Sequence, residues 1–312
     1  LREIVVCGEA LVDVVQEKRT SDAALAPLQP ALGGGPFNVA ITLGRLGSAV
    51  SFVSAVSTDN YGDAIVGALR NAGVGTAMLQ RRPEPTSLAL ATIADDGSAQ
   101  YSFYVEGTAD RTVTDPGSLA PTVAAATFGT LSLVLEPGAS VYENLMRRCH
   151  AERRLVVLDP NIRSVVIPDA DAYRRRFRSW MPFVDVVKLS DEDAAWLGEG
   201  PAGSTVKEWL DDGVAAVVAT AGASGITVTT AEDEVSVPTP KVDVVDTIGA
   251  GDSVLGGLVH HLDRLGALSP DSVRSLTPDQ WREVAVFAAH VAAVTVSRPG
   301  ADPPWAGELR SD

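Results

Sequence analysis

Gly249-Ala250-Gly251-Asp252 is the stretch of this sequence best suited to do chemistry. Three small residues in a row let a ligand touch the backbone, and at a helix start their N–H groups lack intrahelical partners. Such amides, with the helix dipole behind them, hold phosphate. Asp252 runs against that picture, because a carboxylate repels an anion. It fits if its task is to take a proton from a hydroxyl attacking that anion. The four residues then describe phosphoryl transfer to an alcohol, with amides on the transferring phosphate and Asp252 as general base. The same residues also suit a plain strand–turn–helix with a Thr or Asp cap.

Other stretches carry polar groups suited to a ligand. Gly33-Gly34-Gly35-Pro36-Phe37-Asn38 opens a helix after a loop. Asn38 offers donor and acceptor, which suits a sugar hydroxyl and equally a capped turn. This is no dinucleotide fingerprint, since a third glycine and a directly preceding strand are missing. None of the four lysines follows a glycine, so no P-loop is present either. Asp13 shares a strand face with Leu11 and Val15 and either meets solvent, caps a turn or accepts two hydroxyls. Leu158-Asp159-Pro160-Asn161-Ile162-Arg163 follows a strand end, where sites in parallel sheets gather. Arg163 could grip a phosphate or carboxylate with its planar fork, or lie on the surface. Lys188-Leu189-Ser190-Asp191-Glu192-Asp193 reads as an N-cap and acidic first turn, with Lys188 placed to reach a phosphate. Thr220-Ala221-Gly222-Ala223-Ser224-Gly225 is a turn between strands.

Stepping to the elements, the apolar run Val242, Val244, Val245 predicts a strand entering the key stretch, and the spacing from Val254 to Leu265 predicts a helix leaving it. Strands are predicted at 3–8, 49–57, 130–135, 155–158, 184–188, 215–220 and 226–230, with helices at 39–46, 62–72, 270–276 and 278–296. Residues 17–32 read as a loop. Residues 86–94 and 100–105 read as a hairpin around Asp95-Asp96-Gly97-Ser98, outside the main sheet. The alternation of the rest predicts a parallel sheet covered on both faces.

The chain has 312 residues, 46% hydrophobic, enough for one large α/β domain or two ordinary ones. Its net charge of −15 argues against nucleic acid or an anionic membrane as partner. Cys7 and Cys149 have no metal or redox spacing and read as reduced and structural. No leader or apolar span is read, which makes a cytoplasmic protein the expectation.

Asp246-Thr247-Ile248-Gly249-Ala250-Gly251-Asp252 resembles the D-T-x-G-A-G-D signature of the ribokinase-like (PfkB-type) carbohydrate kinases. Gly8-Glu9-Ala10-Leu11-Val12-Asp13 is similar to the family's G-E-x-x-x-D. Gly34, Gly35 and Asn38 match its GG-x-x-x-N. Asp159-Pro160-Asn161-Ile162-Arg163 and the stretch from Tyr101 to Asp110 resemble the fructokinase branch. The resemblance implies a three-layer α/β/α sandwich with a mostly parallel sheet and a small β lid from about 10–17 and 86–106, in one domain spanning 1–312. It implies ATP-dependent phosphorylation of a primary hydroxyl, with fructose the first choice. Ketodeoxygluconate is the runner-up, a nucleoside third, and a non-catalytic sugar-binding protein the alternative from another class.

The resemblance also assigns roles. Asp252 is the base and Gly249, Ala250 and Gly251 the anion hole. Asp13, Gly34, Gly35, Asn38, Phe103 and Arg163 hold the sugar, and Lys188, Ser190, Thr220, Gly222, Gly225 and Ala289 lie toward ATP. Asp193 and Glu136 order Mg2+ through water, and Asp246 lies near a K+ site. The chain departs from the family pattern at Ser190 and Asp193, where N-x-x-E is usual, and at Ala289, where Asn is usual. Lid edges could pair in a homodimer.

Overall fold

A computed structural model describes residues 2–16, 27–93 and 99–309. The hairpin turn expected at 95–98 and most of the loop expected at 17–32 lie outside them.

The first strand, β1 (Glu3–Cys7), shows how the layers arise. Side chains alternate across a strand, and here both sets are apolar. Ile4 and Val6 enter one buried cluster, Val5 and Cys7 another on the opposite face. A strand buried on both faces belongs inside a covered parallel sheet. The sheet follows the order β13 (Glu234–Val237), β12 (Ile226–Thr229), β11 (Ala216–Thr220), β10 (Val186–Ser190), β9 (Leu155–Asp159), β8 (Val123–Gly129), β1, β4 (Val50–Ser57), β5 (Leu79–Arg82). It is parallel from β5 to β11, and β12 and β13 finish it antiparallel.

Parallel neighbours need crossover connections, and helices supply them. One face carries α1 (Gly35–Arg45), α2 (Asn60–Asn71), α7 (Ala250–Arg264), α8 (Pro270–Arg274) and α9 (Pro278–Val296). The other carries α3 (Gly138–Ala151), α4 (Ala170–Trp180), α5 (Asp191–Gly198) and α6 (Val206–Asp211), with Trp180 and Trp209 fully buried beneath them. Cys7 and Cys149 are buried free thiols, as expected of structural cysteines. Among the described residues no helix is long and apolar enough to cross a membrane.

A second sheet stands apart, in the order β3 (Leu28–Gly33), β2 (Leu11–Gln16), β6 (Leu88–Ile93), β7 (Ala99–Tyr104). Leu11 and Ala89 from this sheet pack on Leu131 at the end of the main one. Its strands leave the main sheet where the hairpin pattern at 86–105 says they should.

Four expectations are corrected. β3 forms inside the expected loop, so a strand does directly precede the Gly33–Asn38 stretch. It is an exposed edge strand containing Pro30, a placement where proline is tolerated and no apolar alternation is required. The strand expected at 130–135 lies instead at Val123–Gly129, and residues 130–133 form a 3-10 turn. The alternating leucines 131, 133 and 135 imitated a strand, while Ala124, Ala125 and Ala126 hid the real one. The short strands β5 and β13 went unread. Finally, residues 242–245 form no strand: Val242, Val244 and Val245 are 40%, 63% and 59% exposed.

Candidate active site

The site is built where two helices begin. α7 starts at Ala250, and Gly249 is its N-cap at φ 74° and ψ 2°, the left-handed region glycine adopts without steric cost. No Thr or Asp side chain caps the helix. Its first-turn amides are therefore left to a ligand, with the positive end of the dipole behind them. Asp252 sits in that turn and is buried. From the first turn of α1, Asn38 Nδ2 donates to Asp252 Oδ2 at 2.8 Å. Gly35, at the start of α1, admits no side chain: a Cβ there would stand 2.6 Å from Thr130 Cγ2 and 3.3 Å from Asp252 Oδ1. Burial pushes the Asp252 carboxyl up, opposed by the Asn38 hydrogen bond and by the charges of Lys188 and Arg163.

A cavity of about 500 Å³ opens over these helix starts. The main layers line it with Gly34, Gly35, Asn38, Gly249, Ala250, Gly251 and Asp252. The small sheet adds Asp13, Tyr101 and Phe103, whose rings stack at 6.2 Å. The loop after β9 adds Asn161 and Arg163, joined by a 2.8 Å bond from the guanidinium to Asn161 Oδ1. The structure thus brings together every residue predicted to hold the sugar. Asp13 is pushed up to about 6, chiefly by burial and then by the charge of Asp252, against Arg163.

Glu9 and Thr130 also line this cavity, and sequence reasoning gave them no role. Glu9 is 2% exposed; it accepts from the Thr130 hydroxyl and, at 3.1 Å, from the Ser132 N–H. Burial pushes it up to about 7. Thr130 holds φ at 59°, a strained value for a β-branched residue. Glu9 carried a signal in the sequence, as an acid between the apolar runs 4–6 and 10–12. Thr130 carried none.

A second cavity of about 440 Å³ lies on the other side of the α7 start. Thr220, Gly222 and Gly225 line it as predicted, and Ala289 is in its wall. Most of its remaining lining is apolar, from Val242, Val244, Val254, Ala292, Ala293 and Val296, with Lys241 at hand. The two cavities share Thr247, Ala250 and Gly251. Val242 and Val244 are apolar to face a ligand, which is why the same residues misread as a buried strand.

Five predicted residues lie outside both linings. Lys188 is 3% exposed and pairs with Asp159 at 2.8 Å, so it does not reach into the nucleotide cavity. Ser190 caps α5, accepting from the Asp193 N–H at 3.0 Å. Asp193 accepts from the Ser190 N–H at 3.2 Å and, with its other oxygen, from the Ile162 N–H at 2.9 Å. It ties the loop after β9 to the start of α5. Glu136 faces α4, 3.0 Å from Arg176, and accepts from the Ser140 N–H. The two acids expected near magnesium therefore hold protein structure and do not form a metal's ligand set. Asp246 accepts from the Ile248 and Gly300 N–H groups at 3.0 and 2.8 Å, pinning the turn before α7 to the chain after α9. A monovalent ion there would be held by backbone carbonyls.

Residues 1–306 match the family profile described as "pfkB family carbohydrate kinase". The chain is 36% identical to a fructokinase of Rhizobium leguminosarum bv. trifolii over 283 residues, covering 89% of this chain and 85% of that one. It superposes on a fructokinase of Xylella fastidiosa with bound ATP at a TM-score of 0.87 and 27% identity, covering 96% and 93%. It also superposes on an aminoimidazole riboside kinase of Salmonella enterica, complexed with aminoimidazole riboside and an ATP analogue, at a TM-score of 0.80 and 25% identity, covering 96% and 95%.

Proposed function

The chain belongs to the pfkB family of carbohydrate kinases, and from that premise we propose how its site transfers phosphate and to which sugar. It is an ATP-dependent sugar kinase, a transferase acting on an alcohol. We assign fructose as the acceptor, the substrate named for the Rhizobium and Xylella relatives. One observation carries the mechanism: two cavities meet at the start of α7, sharing Thr247, Ala250 and Gly251, and Asp252 faces only the first.

The sugar occupies the first cavity, held by Asp13, Gly34, Gly35 and Asn38. Asp13 accepts from neighbouring hydroxyls, and Phe103 covers the carbon face. ATP occupies the second cavity, its base on the apolar wall near Ala289 and its triphosphate running past Thr220, Gly222 and Gly225 to the α7 amides. Asn38 fixes one oxygen of Asp252. The other takes the proton of the primary hydroxyl as that oxygen bonds to the γ-phosphorus and the bond to the β-γ bridging oxygen breaks, releasing ADP. The amides of Gly249–Asp252 hold the charge that builds on the transferring group. A divalent ion, for which we propose magnesium, would enter with the triphosphate and offset its charge. Potassium near Asp246 would steady the turn that carries the anion hole.

The small sheet, inserted into what we read as one domain over 1–312, acts as a lid that brings Asp13 and Phe103 over the sugar. Its edge strands β3 and β7 would be covered by a second copy in a homodimer. Arg163, exposed at the rim of the sugar cavity, favours ketodeoxygluconate as a second reading, because its guanidinium could meet a carboxylate there.

ADP release measured over fructose, ribose, glucose, tagatose, adenosine and ketodeoxygluconate tests the assignment. Fructose should respond with the largest kcat/KM. Turnover confined to ketodeoxygluconate would replace fructose and make Arg163 the clamp. Silence with every acceptor would contradict the kinase reading of the site.

A further inference from the structure

Beneath the α7 start, Lys188 at the end of β10 and Asp159 at the end of β9 form an ion pair in the core. Nζ and Oδ2 are 2.8 Å apart, and each side chain is 4% exposed. Such a pair is a weak source of stability, because taking two charges from water costs about what their attraction returns. Its position gives it another use. A Cβ on Gly251 would stand 2.9 Å from Lys188 Nζ, so the ammonium lies directly under the residue preceding Asp252. Asp159 Oδ1 is buried without a protein partner, and Asp159 and Asp252 border the same small cavity.

Asp252 must be ionised to take a proton, yet it is buried. The groups facing it come from five elements. Asn38 on α1 is neutral. Asp13 on β2 and Asp159 on β9 add negative charge that works against ionisation. The cations are Arg163 after β9 and Lys188 on β10. Arg163 is exposed, where solvent and salt screen it. Lys188 acts through the protein interior, where screening is weak.

We propose that Lys188, held in place by Asp159, is the internal counter-charge of Asp252, a positioning residue that keeps the base ionised without touching either substrate. The proposal rests on the reading of Asp252 as the base.

The test is kcat against pH, at saturating sugar and ATP, for Lys188→Met and for Lys188→Met/Asp159→Asn. The double variant leaves no buried unpaired charge and guards against a fold lost in the single one. Saturating sugar removes the titration of Asp13 from the profile. The acid limb should move up by about one pH unit in both, so activity at pH 6 falls roughly tenfold against wild type. At pH 9 activity should return to within a few-fold, with sugar affinity by calorimetry unchanged. Lys188→Arg should keep the limb near wild type. A wild-type limb in the double variant, or an equal loss at every pH, would overturn the proposal. Asp252→Asn separates the two failures: if it keeps turnover, the base reading fails; if it is inactive while the limb stays put, only this inference fails.

Discussion

Buried carboxylates set the behaviour of individual residues here. Asp13 is pushed up to about 6, and it binds sugar hydroxyls as the carboxylate. Sugar affinity should therefore fall as pH drops from 7 to 5. Asp13→Asn should raise the sugar KM roughly 10- to 100-fold, the worth of a charged hydrogen bond, and flatten that dependence. Steady-state KM across pH checks both. Glu9 is pushed up to about 7 from an ordinary 4.5. A raised carboxyl favours the folded state while protonated, so its contribution is full below about 4.5 and lost as pH rises through 7. The loss is on the order of 3 kcal/mol. In urea titrations of the ligand-free protein, Glu9→Gln should gain stability relative to wild type between pH 5 and 8. Equal pH trends in the two proteins would remove the assignment.

At the scale of elements, the site depends on α1 and α7 beginning against each other. Gly249→Val would force a β-branched side chain into the left-handed region, and a Cβ there would stand 2.6 Å from the Ala301 Cβ. The variant should lose thermal stability by several degrees and weaken ATP binding more than sugar binding, as thermal shift with each ligand would show. Much of this frame was legible in the sequence. The α9 limits were read as they stand, and the α7 start follows from the small residues and the amphipathic run behind them. The unread parts have physical reasons. β3 is an edge strand with almost no buried face, so it lacks alternation. β8 is built largely of alanine, which has weak strand preference. Val242, Val244 and Val245 are apolar toward a cavity or solvent, and a one-dimensional pattern does not separate that from a core. In the site, a motif carries the types of Asp252 and Asn38 but not their 2.8 Å bond. Lys188 and Asp193 were legible as residues, while their partners Asp159 and Ile162 come from a loop about 30 positions away.

At the scale of the molecule, two sheets divide the labour. The main sheet fixes the helix starts that carry phosphate and base, and the small sheet supplies the sugar contacts from above. A lid with two open edges and Leu28 at 52% exposure calls for cover. Light scattering should give a homodimer, and charges placed along β3 should split it and raise the sugar KM. A monomer with full activity would remove the dimer from the account. The central claim is that Asp252 removes the proton and does not merely shape the cavity. Turnover of fructose by Asp252→Asn, beside sugar binding by calorimetry, measures it most directly. The account predicts a loss of about 10²- to 10⁴-fold in kcat with sugar affinity kept within a few-fold. Turnover within tenfold of wild type would contradict it.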